Sequence, residues 1–300
     1  RNLMKGSVIP RYSGLPTVLK ENGYYNLFFM THEGQYDNMN AFFRTNGYDE
    51  VFSQEDYPVD KVVNSFGVQD DFLYDYAIPV LNQRAATGQP FFATLLSISN
   101  HPPYVIPPFF HPKTSEPEMQ IVEYADWALR QFFEEARKQP WFDNTIFVLE
   151  GDHGKLVGDA ECELPESYNH IPLMIYSSRI QPEEKTAFGG QVDIQPTILG
   201  LLNIDYLQNN FGVDLLKEER PCMFYTADNM VVGRNDTLLY LYNYETQQEL
   251  TYDIGNGKLN AVPMDDSFFP LKEYSFSMLQ SAEFLVKHGK TLNSIPFTQQ

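Results

Sequence analysis

A chain of 300 residues and 34.6 kDa is long for one small domain and short for three, so one large α/β body, alone or with a modest subdomain, is expected. Hydrophobic residues at 43%, with 23 Phe and 19 Tyr, suffice for a sizeable core and argue against disorder. The 21 Lys and Arg against 40 Asp and Glu leave a net charge of −19, which argues against a nucleic-acid partner and against electrostatic docking on anionic lipid.

In chain order, LPTVLKEN from Leu15 to Asn22 reads as a short helix closed by Gly23. The apolar run Tyr24 to Met30 suits a buried strand. A polar segment from Thr31 leads into a second short helix, NAFFRTN, ending at Gly47, and YDEVFS reads as the next strand. Gln69 to Gln83 carries Phe72, Tyr76 and Val80 on one helical face. FFATLLSIS after Pro90 is an unbroken apolar run, the pattern of a parallel strand buried on both faces. Six prolines from Pro102 to Pro117 exclude regular structure there. Val122 to Lys138 reads as a strong helix with Tyr124, Ala128, Phe132 and Ala136 on one face. IFVLE after Thr145 and LMIYSS after Pro172 read as strands, the first of them buried, and Val192 to Leu202 as a helix. Beyond about Pro221 the texture changes to short strands, CMFYTA, MVVGR, TLLYLYNY and QELTYDI, followed by a helix within Asp266 to Lys287.

The expected fold is therefore α/β: a mostly parallel central sheet with helices on both faces over residues 1–220, plus a small antiparallel subdomain over 221–300 with a terminal helix. Cys162 and Cys222 form no metal-binding spacing and leave the redox compartment open. No stretch is long and apolar enough to span a bilayer or to read as a signal peptide. The chain opens Arg1-Asn2-Leu3 rather than on Met, as expected of a piece of a longer protein.

Four segments at strand ends could carry chemistry. Asp152 and His153, in Gly151-Asp152-His153-Gly154, offer an oxygen and a nitrogen ligand where open α/β sheets bind ligands, a mixed set that suits Zn or Mn. Taken alone, the pair is better explained by an Asp capping a helix. His101 in SNHPPY would face the same crevice and could donate to a phosphate oxygen or protonate a leaving group. Taken alone, it is better explained as a histidine without a role in a proline-rich loop. His32, Asp37 and Asn38 lie in a loop able to hydrogen-bond a polyol or phosphate head, or simply to cap the following helix. His170, before the strand opening at Pro172, could lie near a metal or be an edge histidine.

The order YDNMNAFFRTNGYDEVF, SNHPPY, YADWALRQFFEEARKQPWFDNTIFVLEGDHG, HIPLMIY, GGQVDIQPTILGLLNI and FGVDLL resembles the sulfatase-like phosphoglycerol transferases. This is the lipoteichoic acid synthase type, which includes Gram-negative membrane relatives with a DNMNAFF loop. The resemblance runs from Leu15 to Leu216; GDHG and QVD-PTIL are shared across the wider alkaline phosphatase and sulfatase superfamily.

The resemblance implies an extracytoplasmic catalytic domain that follows membrane helices in the full protein, at the cell membrane. It implies one divalent ion, manganese foremost and zinc as the alternative, held by Asp152 and His153 with a Glu and a nucleophilic Thr. It places His101 on the substrate side. The partners implied are a lipid head-group phosphodiester, attacked to give a phospho-Thr intermediate, and a sugar or glycerol acceptor. The family's Glu and Thr lie upstream of the part matching Leu15, so this chain is expected to lack them and to be inactive alone. Thr17 and Thr31 do not stand in the nucleophile's context. The family's Trp and Arg contacts after the first strand are replaced here by His32, Asp37, Asn38 and Met39. The alternatives are a true sulfatase, for which neither Cys162 nor Cys222 has the required C-x-P-x-R context, and a non-catalytic regulatory relative, which the intact Asp152-His153 pair counts against.

Overall fold

The computed structural model describes residues 4, 8–156, 158–227 and 229–292. The chain divides into two compact units, Arg1–Thr145 and Ile146–Gln300.

In the first unit, α1 (Leu15–Glu21) leads into β1 (Tyr25–Met30), followed by α2 (Met39–Thr45) and β2 (Glu50–Phe52). A small hairpin, β3 (Val62–Asn64) and β4 (Gly67–Val68), precedes α3 (Asp70–Ala85), β5 (Phe91–Leu96) and α4 (Pro117–Ala136). The sheet order is β2-β1-β5, all parallel, with Met30 opposite Leu96. β1 is central, and Leu27 to Met30 are buried on both of its faces. On one face Phe28 stacks on Phe43 of α2 at 4.0 Å. On the other, Phe29 stacks on Phe52 at 4.8 Å, and Phe52 meets Tyr76 of α3. Each buried Phe contributes on the order of 1.5–3 kcal/mol by leaving water, so this alternation locks the strand's register.

The stripe expected on α4 is buried: Tyr124, Ala128, Phe132 and Ala136, joined by Ile121. It packs on α3, where Tyr74 meets Phe132 and the Tyr124 hydroxyl donates to Asp71 Oδ1 at 2.6 Å. Two expectations need correction. Among the described residues β5 pairs with β1 alone, and its residues are only partly buried. The last of the six prolines, Pro117, opens α4 at a first-turn position, where the missing N–H costs nothing.

In the second unit, β6 (Phe147–Glu150) pairs antiparallel with β7 (Leu173–Tyr176). The expected doubly buried strand at IFVLE is thus corrected: among the described residues it pairs with β7 alone, and Val148 and Glu150 are exposed in alternation with their neighbours. After α5 (Ile194–Leu201) come β8 (Met223–Ala227), β9 (Met230–Arg234), β10 (Leu238–Asn243), β11 (Gln248–Asp253) and β12 (Asn260–Ala261), an antiparallel meander closed by α6 (Phe269–Lys287). Strand alternation sends Leu239 and Leu241 to one cluster with Val232 and Leu164, and Tyr240 to the other with Leu271 of α6. Gly233 leaves room for Ser275, whose hydroxyl donates to Leu271 O. The change of texture near Pro221 falls inside this second unit.

Candidate functional site

His32 and His101 follow the carboxyl ends of adjacent parallel strands, β1 and β5, so residues far apart in sequence reach one edge of one sheet. His32 is buried, and its Nδ1 lies 3.0 Å from Glu33 O. A carbonyl only accepts, so Nδ1 carries the proton and Nε2 is left with its lone pair in the neutral ring. His101 is exposed, with Nδ1 pinned the same way on Pro102 O at 2.7 Å.

The loop holding His101 is tied down by α3. The buried Asp70 carboxylate accepts from the backbone N–H groups of Ile98 and Ser99, while Ser99 Oγ accepts from Asp70 N and donates to Gln69 Oε1. Burial pushes the Asp70 carboxyl above its ordinary range despite those bonds.

In the loop after β1, Asp37 and Asn38 both have left-handed backbone, φ 49° and 63°, two adjacent non-glycine residues in a sparsely populated region. The Asn38 amide donates to Met4 O, and Asn38 caps α2 without a side-chain cap bond. Glu55, which the sequence reading missed, anchors this loop by accepting from Gly34 N and Ser53 Oγ. Burial alone would raise its carboxyl; the Ser53 hydroxyl, backbone N–H groups and the nearby His32 outweigh it and bring it below the usual range. Two rings were missed as well: Tyr36 lies 4.8 Å from His32, and Phe66, in the β3–β4 hairpin, lies 4.2 Å from His101. Neither threonine is placed as a nucleophile: Thr31 is fully buried, and the Thr17 hydroxyl closes the start of α1 on the Gly14 backbone.

In the second unit, Asp152 and His153 stand exposed after β6, with His153 Nε2 3.8 Å from Asp152 Oδ2. His153 Nδ1 is held by Gly154 O at 2.7 Å, so Nε2 is the ring nitrogen open to a ligand. Gly154 N donates to Tyr168 O, and a Cβ at Gly154 would overlap the Ser167 carbonyl, so only glycine fits. The Gln191 amide donates to Gly151 O and Asp152 O at 3.2 and 2.9 Å, steadying the loop from the QVD motif. His170 is exposed, its backbone N–H donating to Glu166 O.

Asp193 of the same motif is structural. Wholly buried, it accepts from Gly190 N and Val213 N at 2.8 Å each and from the Arg220 guanidinium through Nε and Nη2. Arg220 also donates through Nη1 to the Tyr274 hydroxyl of α6. QVD and FGVD therefore meet at one buried ion pair.

Asp152 and His153 suit a borderline divalent ion: one carboxylate and one imidazole whose other nitrogen is oriented by a carbonyl. They supply two of about four donors, and among the described residues no cluster of three or more His, Cys, Asp or Glu is placed to hold a metal.

A parallel sheet clad by helices, an antiparallel sheet at the C-terminus, and histidine-bearing loops at strand ends define a protein of the alkaline phosphatase superfamily fold. The family model for sulfatases matches residues 4–204, and the chain belongs to the sulfatase family. It is 26% identical over 270 residues to lipoteichoic acid synthase 1 of Bacillus subtilis, covering 82% of this chain and 40% of that one. To the lipoteichoic acid synthase of Staphylococcus aureus it is 24% identical over 242 residues, 69% of this chain and 35% of the relative. The chain thus spans 40% or less of the length of these curated relatives. Among solved structures, an alkaline phosphatase superfamily protein from Vibrio parahaemolyticus superposes with TM-score 0.85 at 27% identity, covering 98% of this chain and 73% of that one. The lipoteichoic acid synthase LtaP of Listeria monocytogenes superposes with TM-score 0.79 at 21% identity, covering 95% of this chain and 75% of that one.

Proposed function

We propose that this chain is part of a metal-dependent enzyme that transfers phosphoglycerol, or a phosphoethanolamine-type group, from a lipid head-group phosphodiester to a sugar or glycerol hydroxyl. The observation that carries the reading is the pairing of β1 with β5, which sets His32 and His101 at one sheet edge in a chain whose relatives include lipoteichoic acid synthases. His101 Nε2, when protonated, hydrogen-bonds a phosphoryl oxygen or the leaving oxygen, while Nδ1 donates to Pro102 O. Asp37 and Asn38 hydrogen-bond the hydroxyls of the glycerol or sugar, because a neutral polyol is read by such groups and not by net charge. Asp152 and His153 Nε2 would hold one divalent ion, manganese or zinc, with donors outside these residues, and His32 and His170 would contact the substrate. Such an ion, when bound, stabilises charge developing on a phosphoryl oxygen. The nucleophile is a threonine outside this chain.

The enzyme works at the extracytoplasmic face of the cell membrane, anchored by sequence outside this chain. Among the described residues no helix is long and apolar enough to cross a bilayer. With a charge of −19, the protein holds an anionic lipid through local contacts rather than its overall field.

The family's name favours a second reading, hydrolysis of sulfate esters. The full-length protein assayed on fluorescent phosphatidylglycerol and on an aryl sulfate separates the two. Lipid turnover that falls in His101→Ala and Asp37→Ala is expected. Turnover of the sulfate alone would overturn the assignment, and unchanged lipid turnover in both variants would remove these residue roles.

A further inference from the structure

The β3–β4 hairpin touches both strand-end loops of the first unit. On one side, Val68 N donates to Thr31 O at 3.2 Å, and Gly67, at φ +88°, presses against the Thr31 carbonyl and the His32 backbone so closely that no Cβ fits. On the other, the Asn64 amide reaches Pro103 O, just past His101. Asn64 Oδ1 also accepts from Phe66 N at 2.8 Å, which fixes the turn. The ring that this turn presents, Phe66, lies 4.2 Å from the His101 imidazole at an interplanar angle of 47°, and 6.4 Å from Tyr36, which itself meets His32. A row of four rings, His32, Tyr36, Phe66 and His101, thereby joins the two loops. Beside it lies a shallow depression, no larger than a water molecule needs, lined by Asn64, Phe66, Gln69, Ser99 and His101 among others.

We propose that Phe66 is a positioning residue for His101: the hairpin braces the loop after β5 against the loop after β1, and the Phe66 ring fixes the direction of the His101 imidazole. The His101 ring is exposed, and its one hydrogen bond, through Nδ1 to the adjacent residue, leaves rotation about the side chain poorly restrained. A planar neighbour within ring contact supplies that restraint. Phe66 touches no reacting group; it acts through His101. The kinetic side of this inference rests on the transferase reading above, but the ring contact does not.

The test has two arms. In the 300-residue chain, selectively labelled histidine rings are observed by NMR, with His101 assigned by His101→Gln. Phe66→Leu keeps an apolar side chain at a half-buried position and is expected to move the His101 resonance toward that of an unstacked imidazole, while the other histidines stay. Phe66→Tyr keeps the ring and should leave it in place. In the full-length protein, Phe66→Leu should lower kcat for lipid turnover by about 10²-fold, the scale of an ångström-sized misplacement. KM should stay nearly constant, and Phe66→Tyr should restore kcat. A His101 resonance unmoved in Phe66→Leu, or a Tyr variant as slow as the Leu variant, would overturn the proposal. A wild-type protein without lipid turnover would defeat the functional reading instead, and the resonance would then decide the positioning role alone.

Discussion

The ion pair between Asp193 and Arg220 makes a sharp prediction about what holds the second unit together. Both side chains are almost fully shielded from water, so solvent screens the pair little. Truncating Asp193 to Ala removes the acceptor for two backbone N–H groups, Gly190 and Val213, and strands a buried guanidinium that keeps only the Tyr274 hydroxyl and the Phe211 carbonyl. Breaking a buried pair from one side costs about 3–5 kcal/mol. For a unit of roughly 150 residues, at about 2–4 °C per kcal/mol, that is a fall in Tm on the order of 10 °C. Arg220→Met should cost less, because the carboxylate left behind keeps its two N–H donors. Asp193→Leu combined with Arg220→Met should recover part of the loss, since no buried charge then remains. The readout must be chosen with care. Both tryptophans, Trp127 and Trp141, belong to the first unit, so indole fluorescence does not report on this site. Hydrogen exchange of peptides covering 190–220, with melting followed by far-UV circular dichroism, does. A loss below about 1 kcal/mol in Asp193→Ala, with exchange of the 211–216 segment unchanged, would refute the reasoning.

Asp70 predicts a pH dependence in the first unit, where the tryptophans do report. Its folded-state carboxyl titrates above its ordinary value of 3.8, so the folded protein holds the proton more tightly. That contribution is complete below about pH 4 and is lost as pH rises through the folded value; Asp70→Asn should flatten this fall in urea midpoints taken from pH 4 upward, and an unchanged slope would contradict it. Calorimetric titration of manganese into the 300-residue chain should give binding weaker than micromolar, because Asp152 and His153 are two donors of about four. Tighter binding that vanishes in Asp152→Ala would reveal a further ligand, with His170 the first to test. Gly67→Ala should destabilise the first unit by at least about 2 kcal/mol, from a backbone clash at positive φ, and an unchanged urea midpoint would count against the hairpin's tight seating on β1.

Much of this protein was legible from local pattern. The stripe Tyr124, Ala128, Phe132 and Ala136, the apolar run of β1 and the meander after Pro221 each follow from a periodicity confined to one segment, and each is seen in the structure. The candidate loops were legible for a related reason: strand ends are marked by the abrupt stop of an apolar run, and His32, His101 and Asp152 stand at such stops. Burial was not. β5 and β6 carry the composition of doubly covered strands, but how many neighbours a strand has is decided by which segments pair with it. The five-stranded count of the C-terminal sheet also waited on the structure, since β12 is two residues, Asn260 and Ala261, too short to show a period. Tertiary structure likewise decided the roles of Asp193, Glu55 and Phe66. Asp193 reads as a motif residue, yet only the return of Arg220 from 27 positions along the chain turns it into a buried clasp. Phe66 lies in a hairpin too short to show a period, and its meeting with His101 requires β1 and β5 to be neighbours. Sequence determines where a side chain can sit along its own element, because that depends on residues a few positions away; which side chains face each other across elements depends on the pairing of strands, and that is settled only when the chain is folded.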